Sequence, residues 1–132
     1  NVVLLKYAIG RQKSKLWIQQ GEDEIGANSS IKNLKPEKGN EIEMTTLENL
    51  FDKFEIPDAI KIDIEGYELD ALLGVDLKKK EFQKLTIIGI EVHSKLMELR
   101  DLEKPQERIQ KLLENSGFTI KWTDFSHLVA IR

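Results

Sequence analysis

The sequence contains no cysteine. That excludes disulfides, thiolate metal sites and a cysteine nucleophile, and it fits a cytoplasmic setting. No run approaches the roughly 20 apolar residues of a membrane span. Residues 1–6 carry no basic leader and no cleavage pattern, so they do not read as a signal peptide. An initiator methionine is also missing, and the chain enters an apolar run directly, as though a segment preceded it. The net charge is only −3, without the basic footprint of a general nucleic-acid binder. There is no G-x-G-x-x-G, phosphate loop, H-E-x-x-H or G-x-S-x-G, and no internal repeat.

What is present suits a single domain, residues 1–132, with one core. Hydrophobic residues make up 40% and charged residues 33%, with both signs interspersed. Disorder, collagen and coiled coil do not have that composition. Residues 1–9 are apolar and β-branched up to Gly10 and read as a strand, as does 15–18. Residues 19–40 are polar, with Gly21, Gly26, Pro36 and Gly39, and read as a long loop. Residues 41–44 alternate like a short strand. Thr45-Thr46-Leu47-Glu48 then reads as a capping box. Leu47, Leu50, Phe51 and Phe54 form one helical face that Pro57 ends. Residues 60–64 are a strand, and Leu69, Leu72 and Leu73 make a helical face before a Gly74 cap. Residues 85–92 are nearly all apolar, as in a strand buried on both faces. Residues 95–102 suit a helix, and Pro105 to Gly117 frames a firmer one. The segments 118–122 and 127–131, joined by a short turn, read as an antiparallel hairpin. The order predicts an α/β fold whose sheet is mostly parallel with an antiparallel edge.

In open α/β sheets, ligands bind beyond the carboxyl ends of the strands. Two strands here end in ionisable residues, Asp63-Ile64-Glu65-Gly66 and Glu91-Val92-His93-Ser94. The two ends belong on one rim, side by side if the strands are neighbours. Gly66 would let a ligand or a backbone come close. Asp63 admits two readings. It can cap a helix or pair with Lys61, or it can serve a site. The second is favoured because it interrupts an apolar strand, where an unpaired carboxylate is costly. Glu65 can likewise serve the site or merely favour the next helix start, as Glu68 and Asp70 do. His93 is equally open as a surface residue or satisfied hydrogen-bonder and as a proton-transfer group. Glu91 reads as a salt-bridge partner within the sheet. Lys78 to Lys80 read as a solvated turn, and Trp17, Tyr67, Trp122 and Phe125 as packing. Two acids alone do not argue for an ion, and the two histidines lie far apart in sequence, so no metal is expected.

The run Ile60-Lys61-Ile62-Asp63-Ile64-Glu65-Gly66-Tyr67-Glu68 resembles the "lKiDvEG-E" motif of the FkbM family of S-adenosylmethionine-dependent methyltransferases. Thr46 to Leu50 is similar to its "tLd-l", Leu72-Leu73-Gly74 to its "vLkG", 88–93 to its "ii-iEvh", and 2–10 to its "v-l-n-AlG". The resemblance implies a Rossmann-like sheet of order 3-2-1-4-5-7-6, with 1–9 as strand 3, 60–64 as strand 4 and 85–92 as strand 5. The family's glycine-rich loop after strand 1 and its strand-2 acid have no counterpart, so the chain reads as the C-terminal part of the domain. Weak or absent binding of S-adenosylmethionine is expected of such a chain. The resemblance implies methyl transfer to a hydroxyl of a sugar, lipid or metabolite. Asp63, Glu65 and His93 would be its catalytic groups. Ala8, Gly10 and Asp63 would contact the cofactor, and residues 28–40 would cover the acceptor. The alternative is a catalytically silent module that dimerises or binds a partner. Strand 4 would then be an open edge, which residues 1–9 could fill and which favours a homodimer.

Overall fold

A computed structural model describes residues 2–19, 30–32 and 40–132 of the chain. It is a mixed α/β arrangement with two four-stranded sheets. The first contains β1 (Ala8–Ile9), β2 (Ser14–Gln19), β3 (Ser30–Lys32) and β4 (Asn40–Thr45), in the order β1-β4-β2-β3. The second contains β5 (Ala59–Ile62), β6 (Ile87–Glu91), β7 (Thr119–Trp122) and β8 (His127–Ile131), in the order β5-β6-β8-β7.

The sheets are mixed rather than mostly parallel. Only β1–β4 and β5–β6 run parallel; the other four pairings are antiparallel. Of the antiparallel pairs, β7–β8 is joined by a short turn, which a parallel pair could not use because it needs a long crossover. The second sheet nevertheless has the 4-5-7-6 order that the resemblance implies, and the closing hairpin is present. The strand expected over 1–9 shrinks to Ala8–Ile9. Val2, Val3 and Leu4 are exposed, so their apolar character has no face to bury. β1 lies beside β4, not beside β5, so it does not fill the edge. Among the described residues β5 pairs only with β6. The loop read over 19–40 contains β3; its residues 20–29 and 33–39, with most of the expected acceptor-covering segment, lie outside the described residues.

Helix α1 (Leu47–Lys53) starts one residue later than the capping box predicts. Thr46 is the cap, and its hydroxyl accepts the Asn49 N–H at 3.1 Å. Glu48 is drawn away to the Lys79 ammonium and the Asp76 N–H, which fastens α1 to the segment before β6. That segment is not a plain turn. A 3-10 helix, Lys80–Lys84, buries Phe82 against Phe51 with ring centroids 5.5 Å apart. α2 (Glu68–Leu73) follows β5, α3 (Ser94–Glu98) follows β6, and α4 (Pro105–Asn115) leads into the hairpin. Gly117, at φ +88°, makes the left-handed exit from α4. No described helix is long and apolar enough to cross a membrane.

The core joins α1, α2 and α4 to the second sheet through Phe51, Leu69, Leu72, Ile109, Leu113 and Leu128. β6 is not buried on both faces. Ile88 and Ile90 are enclosed, while Ile87 is 43% exposed. Trp122 packs on the core, but Phe125 is exposed at the hairpin turn. Leu113 has no exposed surface, whereas Leu99 is 82% exposed. Leu113→Ala is expected to cost about 2–5 kcal/mol, the loss for emptying a buried leucine site. Leu99→Ala is expected to stay within about 0.5 kcal/mol. Urea melts of the two variants, measured against the parent, check the contrast.

Candidate functional site

β5 ends at Ile62, and the chain then crosses the sheet rim through Asp63, Ile64 and Glu65. Glu65 adopts φ 51°, a left-handed conformation rare for a residue with a side chain, and Gly66 follows at φ 91°. The double left-handed step reverses the chain into α2. Gly66 cannot be replaced cheaply, because a Cβ there would press on the Leu96 side chain in an already unfavourable backbone region.

Glu68 holds this turn. It is completely buried, although it is a carboxylate. Its Oε1 accepts the Ile64 N–H at 3.2 Å and the Gly66 N–H at 3.0 Å. The same oxygen lies 2.9 Å from His93 Nδ1. From the other side Arg100 donates to the Gly66 carbonyl at 2.5 Å, ion-pairs with Asp70 at 2.9 Å and stacks on the Tyr67 ring at 3.7 Å. Tyr67 therefore packs as expected, but against a cation.

The parallel pairing of β5 with β6 sets Asp63 and Glu65 beside the end of β6. With Nδ1 held by Glu68, the His93 ring turns Nε2 toward Glu65 Oε2 at 3.5 Å and Glu91 Oε1 at 3.8 Å. Ligand atoms of Asp63, Glu91 and His93 all lie within 4.8 Å of one another. β6 also pairs with β8, where Glu91 faces His127 in register and His127 Nε2 lies 3.3 Å from Glu91 Oε2. The sheet thus gathers residues 63, 91, 93 and 127 at one rim.

Electrostatics here follow from the carboxylates. Partial burial works against a charged His93 ring. The Glu68 hydrogen bond and the charges of Glu68, Glu65 and Glu91 outweigh that burial and raise the His93 pKa above its ordinary value. Asp63 is held below the usual carboxylate range, first by its hydrogen bond from Lys61 at 2.7 Å. The His127 pKa is raised, chiefly by Asp124. The Asp124 carboxyl is itself pushed well down, first by the Ser126 N–H.

The structure therefore brings Asp63, Glu65 and His93 together. The Lys61 pairing of Asp63 is present as well, but on an open surface. Glu91 pairs within the sheet as read, with the imidazoles of His93 and His127. Ala8 lies in β1 of the first sheet, and Gly10 follows that strand and donates its N–H to the Thr45 carbonyl at 3.0 Å. Gly10 is buried beside the Met44 side chain and against Gly74, at the far end of α2 from Asp63. Cavities of about 630 and 760 Å³ lie elsewhere, one beside Tyr7 and Met44, the other along Leu69 and Leu112. Sequence reasoning missed three participants: Glu68 as the acceptor for the turn, Arg100 as its clamp and His127 as the second imidazole. The second glutamate of Glu65-Gly66-Tyr67-Glu68 was the available signal for the first.

A mixed α/β protein with a carboxylate and imidazole rim at adjoining strand ends is a broad class. The sequence narrows it: the chain belongs to the FkbM methyltransferase family, whose domain model matches residues 5–120. No curated protein and no solved structure matches it significantly.

Replacing Glu68 tests how much the rim depends on it. Glu68→Ala orphans two backbone donors and is expected to cost about 2–6 kcal/mol, at about 1–3 kcal/mol for each buried donor left unpaired. Glu68→Gln, which keeps an acceptor oxygen, is expected to cost less. Urea denaturation of both variants measures the difference, and equal losses would remove the hydrogen-bonding account.

Proposed function

We propose that this protein transfers a methyl group from S-adenosylmethionine to a hydroxyl oxygen of a sugar, lipid or other small metabolite. Family membership supports the methyl transfer. The choice of an oxygen acceptor is carried by one observation, the convergence of Asp63, Glu65 and Glu91 around His93 Nε2. Carboxylates attract a sulfonium cation, and a group that takes a proton beside them suits a hydroxyl nucleophile.

In the reaction the acceptor oxygen attacks the methyl carbon as its O–H bond breaks. The C–O bond forms and the C–S bond breaks. The electron pair stays on sulfur, which leaves as the neutral thioether S-adenosylhomocysteine. Most of the acceleration in such a displacement comes from alignment of oxygen, carbon and sulfur. Asp63 stays ionised under the influence of Lys61, so it suits the sulfonium charge and can also receive the proton. Glu65 is the most exposed of these carboxylates, which supports a role in binding the acceptor hydroxyl. His93 is the other group able to take the proton. The same reading assigns Ala8 and Gly10 to the adenine side of the cofactor.

Asp63→Asn is expected to lower the rate of S-adenosylhomocysteine formation at least about 10²-fold with hydroxyl acceptors. Parent-like turnover in that variant would remove Asp63 from the mechanism. S-adenosylmethionine is expected to bind the isolated 132-residue chain weakly or not at all, and a submicromolar dissociation constant by calorimetry would overturn that expectation.

A second reading, a silent dimerising module, is favoured by the open outer edge of β5. Sedimentation of the purified chain separates the readings: a concentration-independent monomer without methyl transfer would leave neither standing, whereas a homodimer without transfer would favour the second.

A further inference from the structure

We propose that the rim binds one divalent transition-metal ion through Asp63, Glu91 and His93, with His127 at its margin. The inference deepens the functional reading, and only the ion's use in catalysis rests on that reading. The donor atoms of Asp63, Glu91 and His93 lie within 4.8 Å of one another. Donors that share an ion at about 2.1 Å stand no more than about 4 Å apart. Closing that gap requires the carboxylate side chains to move toward a common centre.

The orientation of the imidazoles points to the ion independently of the acids. The chain has two histidines, and both reach Glu91. Each has its Nδ1 beside a carboxylate, that of Glu68 in α2 for His93 and that of Asp124 in the adjoining β7–β8 turn for His127. Glu68 is 2.9 Å from the His93 Nδ1, and Asp124 is 3.0 Å from the His127 Nδ1. Each ring therefore presents Nε2 to the same acid, at 3.8 Å for His93 and 3.3 Å for His127. A metal-ligating histidine is held in just this way, with the other ring nitrogen donating to a carboxylate. On His93 that carboxylate is fully buried, so the ring orientation is set by the core rather than by solvent. Imidazole nitrogen together with carboxylate oxygen suits zinc or manganese, whereas magnesium prefers an all-oxygen shell.

An ion here would hold the acceptor oxygen and favour loss of its proton. Ligation takes both Asp63 and His93 out of the proton-accepting role and leaves Glu65 to receive the proton.

The test uses the tag-free chain. Zn²⁺ is titrated by calorimetry, with Mg²⁺ as the comparison, while the ring protons of both histidines are followed by NMR. One equivalent of Zn²⁺ is expected to bind saturably and to shift both rings. His93→Gln and Glu91→Gln are expected to weaken binding at least about tenfold, the scale seen when even supporting residues of a metal site are lost. Glu41→Gln, in the first sheet, is expected to leave it unchanged. Circular dichroism confirms that each variant is folded, and the parent's NMR response decides the matter if one is not. The proposal is overturned by the absence of saturable binding, by either ring remaining unshifted, by Mg²⁺ binding as tightly, or by unchanged affinity in folded His93→Gln and Glu91→Gln. Zn²⁺ binding without methyl transfer would leave the metal site standing and remove the functional reading; transfer without Zn²⁺ binding would do the reverse.

Discussion

The buried Glu68 carboxylate is the contact on which the rim depends. A carboxylate without solvent must find donors, and here one oxygen collects them from two elements. Two are backbone N–H groups of the turn between β5 and α2. The third partner is the imidazole at the end of β6. One side chain therefore fixes the left-handed path of Glu65 and Gly66 and the rotation of His93 together. Arg100 secures the opposite side of the turn through the Gly66 carbonyl. Strain in the backbone at Glu65 is tolerated because its surroundings leave it no other conformation.

The sheet supplies the second condition. β6 lies between β5, which runs parallel to it, and β8, which runs antiparallel. The parallel neighbour places strand ends side by side, and the antiparallel one brings a strand beginning to the same rim. Residues from three separate stretches of chain meet there for that reason. The register is held by alternation along β6, where Ile88 and Ile90 enter the core while Glu91 reaches the rim. A slip of one residue would turn Glu91 inward and expose the isoleucines.

Much of the local structure was legible in the residues. Leu47 and Phe51 at helical spacing marked α1, Pro105 and Gly117 bounded α4, and alternation around Ile120 and Trp122 marked the hairpin. Local competition defeated finer detail. Thr46 displaced Thr45 as the cap because Glu48 had a stronger partner in Lys79, far along the chain. The apolar start of the chain read as a strand, yet hydrophobicity alone does not create a pairing partner for Val2 to Leu5.

The family, the helices and the two acid-bearing strand ends could be read from the residues, because each rests on neighbours within a few positions. The sequence put Asp63, Glu65 and His93 forward as one site through topology alone. That Glu68 is a buried acceptor rather than a favourable charge at a helix start emerges from the fold, since burial depends on what packs over it. The fold likewise makes His93 and His127, so far apart in the chain, flank one carboxylate. That meeting is set by strand register between distant segments, and no local spacing encodes it.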